Sequence, residues 1–333
     1  MINVEQLGTE PLFGLPLADL WFILLFVILG MFLFLDGFDF GIGILFAIHN
    51  DDAEKSRLLA AITPFWDANE VWLVVFGGSL FAAFPAVYAN LFSRHYPLMF
   101  AILAALGLRG LSPEMYEQRE DERWQLWWGR AFVLGSLTTP FLLGIFLANW
   151  LLGRTAIITL PGIVVGLAVV ALTVVDGVAF LRLKLRGELR DQLRTDGHRA
   201  LAAYLLTIML ILGYVYFTDP ARRSALRSPI VGSLVVLTFV FAGMYAGGMS
   251  QNRNHLAFGA AAGLVFSLVG VVAGLLFPTI DPRLGLTVES AAVSILPLNI
   301  MSIGAALLLP LIYTYFGVLY SAFSGPIKSN NNQ

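Results

Sequence analysis

Hydrophobic residues in this chain are grouped in long runs that short polar stretches separate. A helix needs about 20 apolar residues to cross the hydrocarbon core of a bilayer. Nine runs are candidate spans, of which the third is short and the first is long: residues 18–47, 63–92, 96–111, 129–152, 159–181, 200–217, 229–249, 256–277 and 294–323. The longest polar stretches, 112–128 and 182–199, are too short to fold as soluble domains. The pattern predicts an all-α polytopic membrane protein with nine transmembrane helices.

Composition supports the same class. Of the 333 residues, 58% are hydrophobic and 13% are charged, whereas soluble domains carry about 25% charged residues. The net charge of −2 gives no basic surface for nucleic acid. The absence of cysteine excludes disulfides, thiolate metal sites and thioether-linked haem. No basic region precedes the first run, so we expect that run to stay in the membrane rather than to be cleaved as a signal peptide.

The distribution of lysine and arginine predicts the orientation, because cytosolic loops carry an excess of both. With the N-terminus outside and nine spans, the inner loops hold 14 of these residues and the outer loops hold 6. The sequence therefore predicts a multi-pass protein of the cytoplasmic membrane with its N-terminus outside and its C-terminus inside.

A short motif occurs twice. The first run contains FLDGF at 34–38 and the fifth contains VVDGV at 174–178, so Asp176 follows Asp36 by 140 residues. The repeated motif predicts two four-helix repeats of parallel topology, at 1–152 and 153–278, followed by a ninth helix and cytosolic tail at 279–333. The alternative is that so short a match arose by chance.

Acidic residues accumulate at the inner ends of the first two spans. Asp36 and Asp39 are three residues apart, so they share a face of a helix. Thr63, followed by proline, has the sequence of a helix start, which would place Asp67 and Glu70 in the first two turns of the second span. The positive end of the helix dipole would favour both anions there.

The third span brings a positive charge to the same membrane face, because Arg109 lies at its inner end and Glu114 follows it. Ionisable groups at a membrane boundary are costly and indicate function. We expect a proton entry route from the cytosol, although a helix cap with snorkelling charges is the alternative interpretation. The residues predicted for the route are Asp36, Asp39, Asp67, Glu70, Arg109 and Glu114.

Tryptophans cluster near the predicted inner interface. Trp124, Trp127 and Trp128 fit an aromatic belt. Trp66 opens the second span, and Trp72 lies two turns deeper, where it is expected to pack against a partner or a pocket.

Histidines offer no haem or metal site. The four are His49, His95, His198 and His255. None lies in the middle of a span, so no metal is expected to bind side chains of this chain. The basic stretches 182–199 and 222–227 are expected to meet lipid headgroups or a neighbouring subunit.

Several stretches together resemble subunit II of the cytochrome bd-type quinol oxidases, including the cyanide-insensitive type. They are LDGFDFGIGIL at 35–45, WDANEVWLVVFGGSLFAAFPAVYA at 66–89, Arg109, RW…W at 123–127 and LNIMS at 298–302. The first two are long and specific, and the resemblance follows the whole chain in order.

The resemblance implies that subunits I and II share a nine-helix fold and pair as a pseudosymmetric dimer. It implies a complex that oxidises quinol near the outer face and reduces oxygen to water. Haems b and d would be ligated by subunit I, and this chain would hold none. Protons would enter from the cytosol at the subunit interface. Some members also have a small accessory subunit, and some hold a structural quinone in subunit II.

Carried over residue by residue, the family's acids and arginine match Asp36, Asp39, Asp67 and Arg109, and Trp72 matches a tryptophan near the oxygen access path. One departure stands out, because some members have an aspartate early in helix four where this chain has glycine and arginine at 129–130. A proton route through that aspartate would have to differ here.

Two other functions fit parts of the pattern. A proton-coupled secondary transporter would explain the repeats and the cytosolic acids, but transporters place ionisable groups near the midplane, where helices four to eight have few. A structural membrane scaffold is the third interpretation.

Overall fold

The computed structural model of the chain describes residues 6–49 and 51–326, and this part is mostly helical. A 3-10 turn at Leu12–Gly14 follows α1, and two short strands, β1 (Thr279–Asp281) and β2 (Leu286–Thr287), follow α12. The helices are α1 (Gln6–Thr9), α2 (Leu17–Leu45), α3 (Asp52–Ile62), α4 (Trp66–Ala83), α5 (Pro85–Arg94), α6 (Tyr96–Glu117), α7 (Glu122–Leu151), α8 (Leu160–Lys184), α9 (Glu188–Thr218), α10 (Pro220–Leu226), α11 (Pro229–Ser250), α12 (Asn254–Leu276), α13 (Val288–Ala291) and α14 (Ile295–Ala322).

Most of the long helices could cross a membrane. Among the residues described, eight are long and apolar enough, and a ninth span results if the bent pair of α3 and α4 counts as one. The two members of that pair meet at an angle of 51°. The structure therefore confirms an all-α polytopic membrane protein with eight or nine spans.

The second predicted span is interrupted twice. Thr63 does not start a helix as predicted, because its hydroxyl donates to the Leu59 carbonyl at 2.9 Å and it ends α3 instead. Helix α4 starts after Phe65 and ends before Phe84, which has φ −133° and ψ 61°. Pro85 then opens α5, since proline tolerates the first helical position but not the interior.

The polar stretches 112–128 and 182–199 are largely helical, whereas they were predicted as loops. Asp121 caps α7 by accepting from the Trp124 amide at 2.9 Å, so that helix begins seven residues before the apolar run. Helix α9 has 31 residues, or about 46 Å at 1.5 Å per residue, against about 30 Å of hydrocarbon. Such helices project from the membrane, and hydrophobicity alone misses their polar ends.

Helix α2 lies at the centre of the bundle and touches α8 backbone to backbone. A methyl group at Gly41 would lie 1.9 Å from the Thr173 carbonyl oxygen, and Gly177 provides the matching gap on α8. Small residues at such positions allow close helix contact. Helix α14 is at the periphery, since only 11% of its most apolar window is buried.

The β hairpin was not predicted, and it helps to hold together the end of the bundle opposite Asp36. Asp281 pairs with Arg94 at 2.7 Å, and both side chains are buried. The indole of Trp150 donates to the Ile280 carbonyl at 2.8 Å. These contacts tie the connection after α12 to α5 and α7.

Candidate functional site: a buried cluster of charges

One guanidinium faces three carboxylates at one end of the bundle. Arg109 Nη2 lies 2.6 Å from Asp36 Oδ1 and 3.2 Å from Asp39 Oδ2, and its Nη1 lies 4.0 Å from Glu70 Oε2. Asp36, Asp39 and Arg109 are buried, while the Glu70 side chain is 32% exposed. We name these four residues the Arg109 cluster. The topology brings α2, α4 and α6 together at these side chains.

A glycine lets α6 and α7 pack closely beside the Arg109 cluster. Gly135 of α7 leaves room for α6, because a methyl group there would lie 2.6 Å from the Arg109 amide nitrogen. Aromatic rings close the sides of the cluster, with the guanidinium carbon 5.1 Å from the Phe40 ring centroid and 5.9 Å from that of Trp66. Trp66, predicted to line oxygen access or a partner contact, thus forms a wall of the Arg109 cluster.

Asn69 and Tyr320 extend the cluster to the last helix. Asn69 Nδ2 donates to the Leu35 carbonyl and to Asp39 Oδ2, both at 2.9 Å. Its Oδ1 accepts from the Tyr320 hydroxyl at 2.8 Å. Neither residue was among those predicted for the site. Asn69 lies between Asp67 and Glu70 in the polar start of α4, which is the signal that could have found it, whereas the polar role of Tyr320 has no sequence signal.

Charges within the cluster do not balance. Three carboxylates surround one cation, and Asp36 Oδ2 and Asp39 Oδ1 have no hydrogen-bond partner among the described residues. Uncompensated buried charge is expensive. A proton on one of these carboxyls would reduce the excess negative charge, so the arrangement is suited to holding and releasing protons through water.

The remaining predicted acids form no ion pair with Arg109. Asp67, at the start of α4, and Glu114, on α6, are exposed and form no ion pair with a described residue. Asp176 is fully buried on α8, and neither of its oxygens has a hydrogen-bond partner in the described part of the chain. Its Oδ2 lies 3.4 Å from where a methyl group would stand on Gly37. The roles of these three residues remain predictions.

Trp72 is buried against this chain's own last helix. It is 2% exposed, and its ring centroid lies 5.9 Å from that of Tyr313 and 5.5 Å from that of Phe316. One turn along α4, Phe76 lines an apolar cavity of about 290 Å³, together with residues of α2, α5, α6 and α7. Trp72 therefore fixes α14 beside the helices that enclose this cavity.

Histidines take other partners. The Nδ1 atom of His49 lies 3.0 Å from Glu54 Oε2, and the two ring nitrogens of His95 face the carbonyls of Leu91 and Arg154. Burial lowers the pKa of His95, which favours the neutral ring. Among the described residues, no group of three or more His, Cys, Asp or Glu side chains could hold a metal ion.

The fold and the cluster define a polytopic membrane protein with ionisable groups buried at one end of its bundle. Residues 17–323 match the family of cytochrome bd terminal oxidase subunit II. The chain belongs to this family, and it is therefore a subunit of a quinol:oxygen oxidoreductase whose partner, subunit I, holds the haems.

Individual relatives agree with the family match. The chain is 32% identical over 319 residues to cytochrome bd ubiquinol oxidase subunit 2 of Bacillus subtilis, which covers 89% of this chain and 92% of the relative. It is 27% identical to cytochrome bd-I ubiquinol oxidase subunit 2 of Escherichia coli strain K12, over 95% of this chain and 96% of the relative. A chain in the structure of bd oxidase from Geobacillus thermodenitrificans shares the fold, with a TM-score of 0.77 and 20% identity over 93% of this chain and 99% of that one.

Proposed function

We propose that this chain stabilises the haem-bearing subunit I and provides the proton route from the cytosol to the site of oxygen reduction. The observation that carries the proposal is the Arg109 cluster, in which three carboxylates share one buried cation. The haems are held by subunit I, so the redox chemistry takes place on the partner. The buried acids of this subunit are therefore best explained by proton transfer to that partner.

Orientation supports an entry from the cytosol. Counting α3 and α4 as one span gives nine, with the N-terminus outside and the C-terminus inside the cytoplasmic membrane. This assignment puts 14 lysines and arginines inside and 6 outside. The Arg109 cluster then lies at the cytosolic end of the bundle. The crossing of α2 and α8, where Gly37 faces Asp176, supports the two-repeat organisation of 1–152 and 153–278.

The acids form a graded path from water to the interior. Asp67 and Glu114 are exposed, Glu70 is partly exposed, and Asp36 and Asp39 are buried. A proton taken up by an exposed carboxylate would pass through water to Glu70 and then to the buried pair. Arg109 stabilises the anions that remain after each transfer, because opposite charge nearby favours the ionised carboxylate.

Oxygen would enter separately, through apolar space. The cavity of about 290 Å³ beside Phe76 is lined mainly by aliphatic and aromatic side chains. Such a cavity admits a small apolar molecule and excludes ions. Trp66 does not line this cavity but packs against the Arg109 guanidinium, and Trp72 holds α14 in place.

A structural quinone of the kind expected from the family also has a candidate place. A narrow apolar pocket of about 50 Å³ between α7, α8, α9, α11 and α12 is lined by residues that include Tyr204 and Thr238. The Tyr204 hydroxyl is fully buried and has no hydrogen-bond partner among the described residues. A quinone ring would have to move these helices apart to reach this hydroxyl, which could then donate to a quinone carbonyl, while the aliphatic walls suit an isoprenoid chain.

Replacement of Asp39 by asparagine in the assembled oxidase tests the proton route. Oxygen consumption with a quinol should fall by about tenfold or more, since proton-transfer groups commonly contribute at least that much, while haem content persists. Asp67→Asn should slow turnover in the same way. The matched control is Asp19→Asn, at the opposite end of α2. Unchanged turnover in Asp39→Asn with full haem content would remove Asp39 from the route.

A further inference from the structure

A second polar cavity lies at the same end of the bundle, away from the carboxylates. Its volume is about 640 Å³, and it is enclosed by the end of α8, the start of α9, the connection from α11 to α12 and the end of α14. The cationic side chains that line it are Arg182, Lys184, Arg186, Arg190 and Arg253, with His255 beside them. No Asp or Glu is among its lining residues.

Arg182 builds the floor of this cavity. Its Nη2 and Nε donate to the side chains of Asn252 and Asn254 at 2.7 and 3.2 Å, and its Nη1 donates to the Arg190 carbonyl at 2.7 Å. All of these acceptors are neutral. The contacts therefore fix the guanidinium in position without cancelling its charge.

Lys184 is the stronger indication of a missing anion. Its side chain is buried, with the residue only 7% exposed, and its ammonium donates to the Phe323 carbonyl. The ammonium also lies 4.9 Å from the Phe65 ring centroid and 5.5 Å from that of Phe180. It forms no ion pair with any described carboxylate. A buried cation normally has an anionic partner, and here none is provided by the described protein.

Two further cations are free to bind. Arg186 and Arg253 are exposed at the mouth of the cavity, and neither forms an ion pair within the described residues. Towards the bundle the wall becomes apolar, with Phe180, Leu256 and Phe258. The cavity lies where α8 and α14 end, at the edge of the membrane-spanning region. A basic mouth above an apolar wall fits an amphipathic anion better than a soluble one.

We propose that this cavity binds the phosphate of an anionic phospholipid headgroup, held by Lys184, Arg186 and Arg253. The glycerol and upper acyl chains would lie against the aromatic wall. None of these three cations belongs to the proposed proton route, so the test of this site is binding rather than turnover.

The test uses the purified complex of both subunits in detergent, titrated with short-chain phosphatidylglycerol, short-chain phosphatidylcholine or inorganic phosphate and followed by native mass spectrometry. Wild type should bind phosphatidylglycerol more tightly than phosphatidylcholine. The double variant Arg186→Gln/Arg253→Gln should bind phosphatidylglycerol about 30-fold more weakly, as expected for the loss of two interfacial cations. An unchanged haem spectrum and subunit ratio would show that the variant is folded.

The matched control is Arg194→Gln/Arg199→Gln, which removes two arginines of α9 that do not line the cavity. It should retain the wild-type preference for phosphatidylglycerol. Equal loss in both double variants would show general surface attraction and overturn the site. Equal affinity for phosphatidylglycerol and phosphatidylcholine would overturn recognition of the headgroup charge. Inorganic phosphate binding as tightly as phosphatidylglycerol would overturn the assignment to a lipid.

Discussion

Removal of Arg109 should damage the protein far more than removal of any carboxylate that it contacts. Arg109→Gln leaves Asp36, Asp39 and Glu70 without a described cation nearby. Breaking a buried ion pair by deleting one partner costs about 3–5 kcal/mol. Asp36→Asn should cost less, since Arg109 keeps Asp39 at 3.2 Å and an asparagine can still accept its hydrogen bond.

The same reasoning predicts a rescue of stability without a rescue of activity. In the triple variant Asp36→Asn/Asp39→Asn/Arg109→Gln, the three buried groups are neutral and can hydrogen-bond to one another. Most of the loss should therefore be recovered. Turnover should stay low, because the two buried acids of the proposed route are gone.

Two measurements on the purified oxidase separate these effects: the thermal midpoint with the haem content, and the rate of oxygen consumption with a quinol. Arg109→Gln is expected to give the lowest midpoint, Asp36→Asn an intermediate one, and the triple variant a midpoint above Arg109→Gln. If Arg109→Gln were as stable as Asp36→Asn, the charge-balance argument would be refuted. Recovery of turnover in the triple variant would refute the proton route through Asp36 and Asp39.

Three further changes test other contacts. Tyr320→Phe removes the hydroxyl that donates to Asn69. The free energy of unfolding should fall by about 0.5–1.5 kcal/mol, and turnover should fall if Asn69 positions the Asp39 carboxylate. Gly41→Ala should prevent assembly, because its methyl group would overlap the α8 backbone, whereas Gly77→Ala meets nothing within 4 Å and should give wild-type yield. Trp72→Ala should loosen α14 at a cost of about 3–5 kcal/mol and alter the dependence of turnover on oxygen concentration; unaltered oxygen affinity would count against its proposed role.

The sequence was informative where a rule of spacing or burial applies. Asp36 and Asp39 could be placed together because residues three apart share a helix face, and Arg109 could be placed near them because alternate spans end on the same side of the membrane. Asp67 was expected beside them, yet it is exposed. The chain bends by 51° at the break between α3 and α4, and such a break depends on packing that one sequence does not show.

Contacts to the last helix could not be predicted for a related reason. Tyr320 is more than 200 residues from Asn69 in the sequence, and aromatic residues at the end of a span are usually assigned to the membrane interface. The same applies to Lys184, whose position in a basic stretch indicates lipid headgroups but not burial. Long-range partners of this kind depend on the arrangement of the whole bundle rather than on local patterns.

Helix α14 connects the two polar regions of this face. The Tyr320 hydroxyl donates to Asn69, which in turn donates to Asp39 of the Arg109 cluster. The Tyr320 side chain also lines the basic cavity, and the carbonyl of Phe323 accepts from Lys184. The helix is otherwise mostly exposed, so these contacts help to fix its inner end, beside the packing of Trp72 on Tyr313 and Phe316. An anion that binds Lys184 would therefore act on the same short segment that holds Asn69 against Asp39. Occupancy of the cavity and the geometry of the buried carboxylates should thus be linked through residues 320–323.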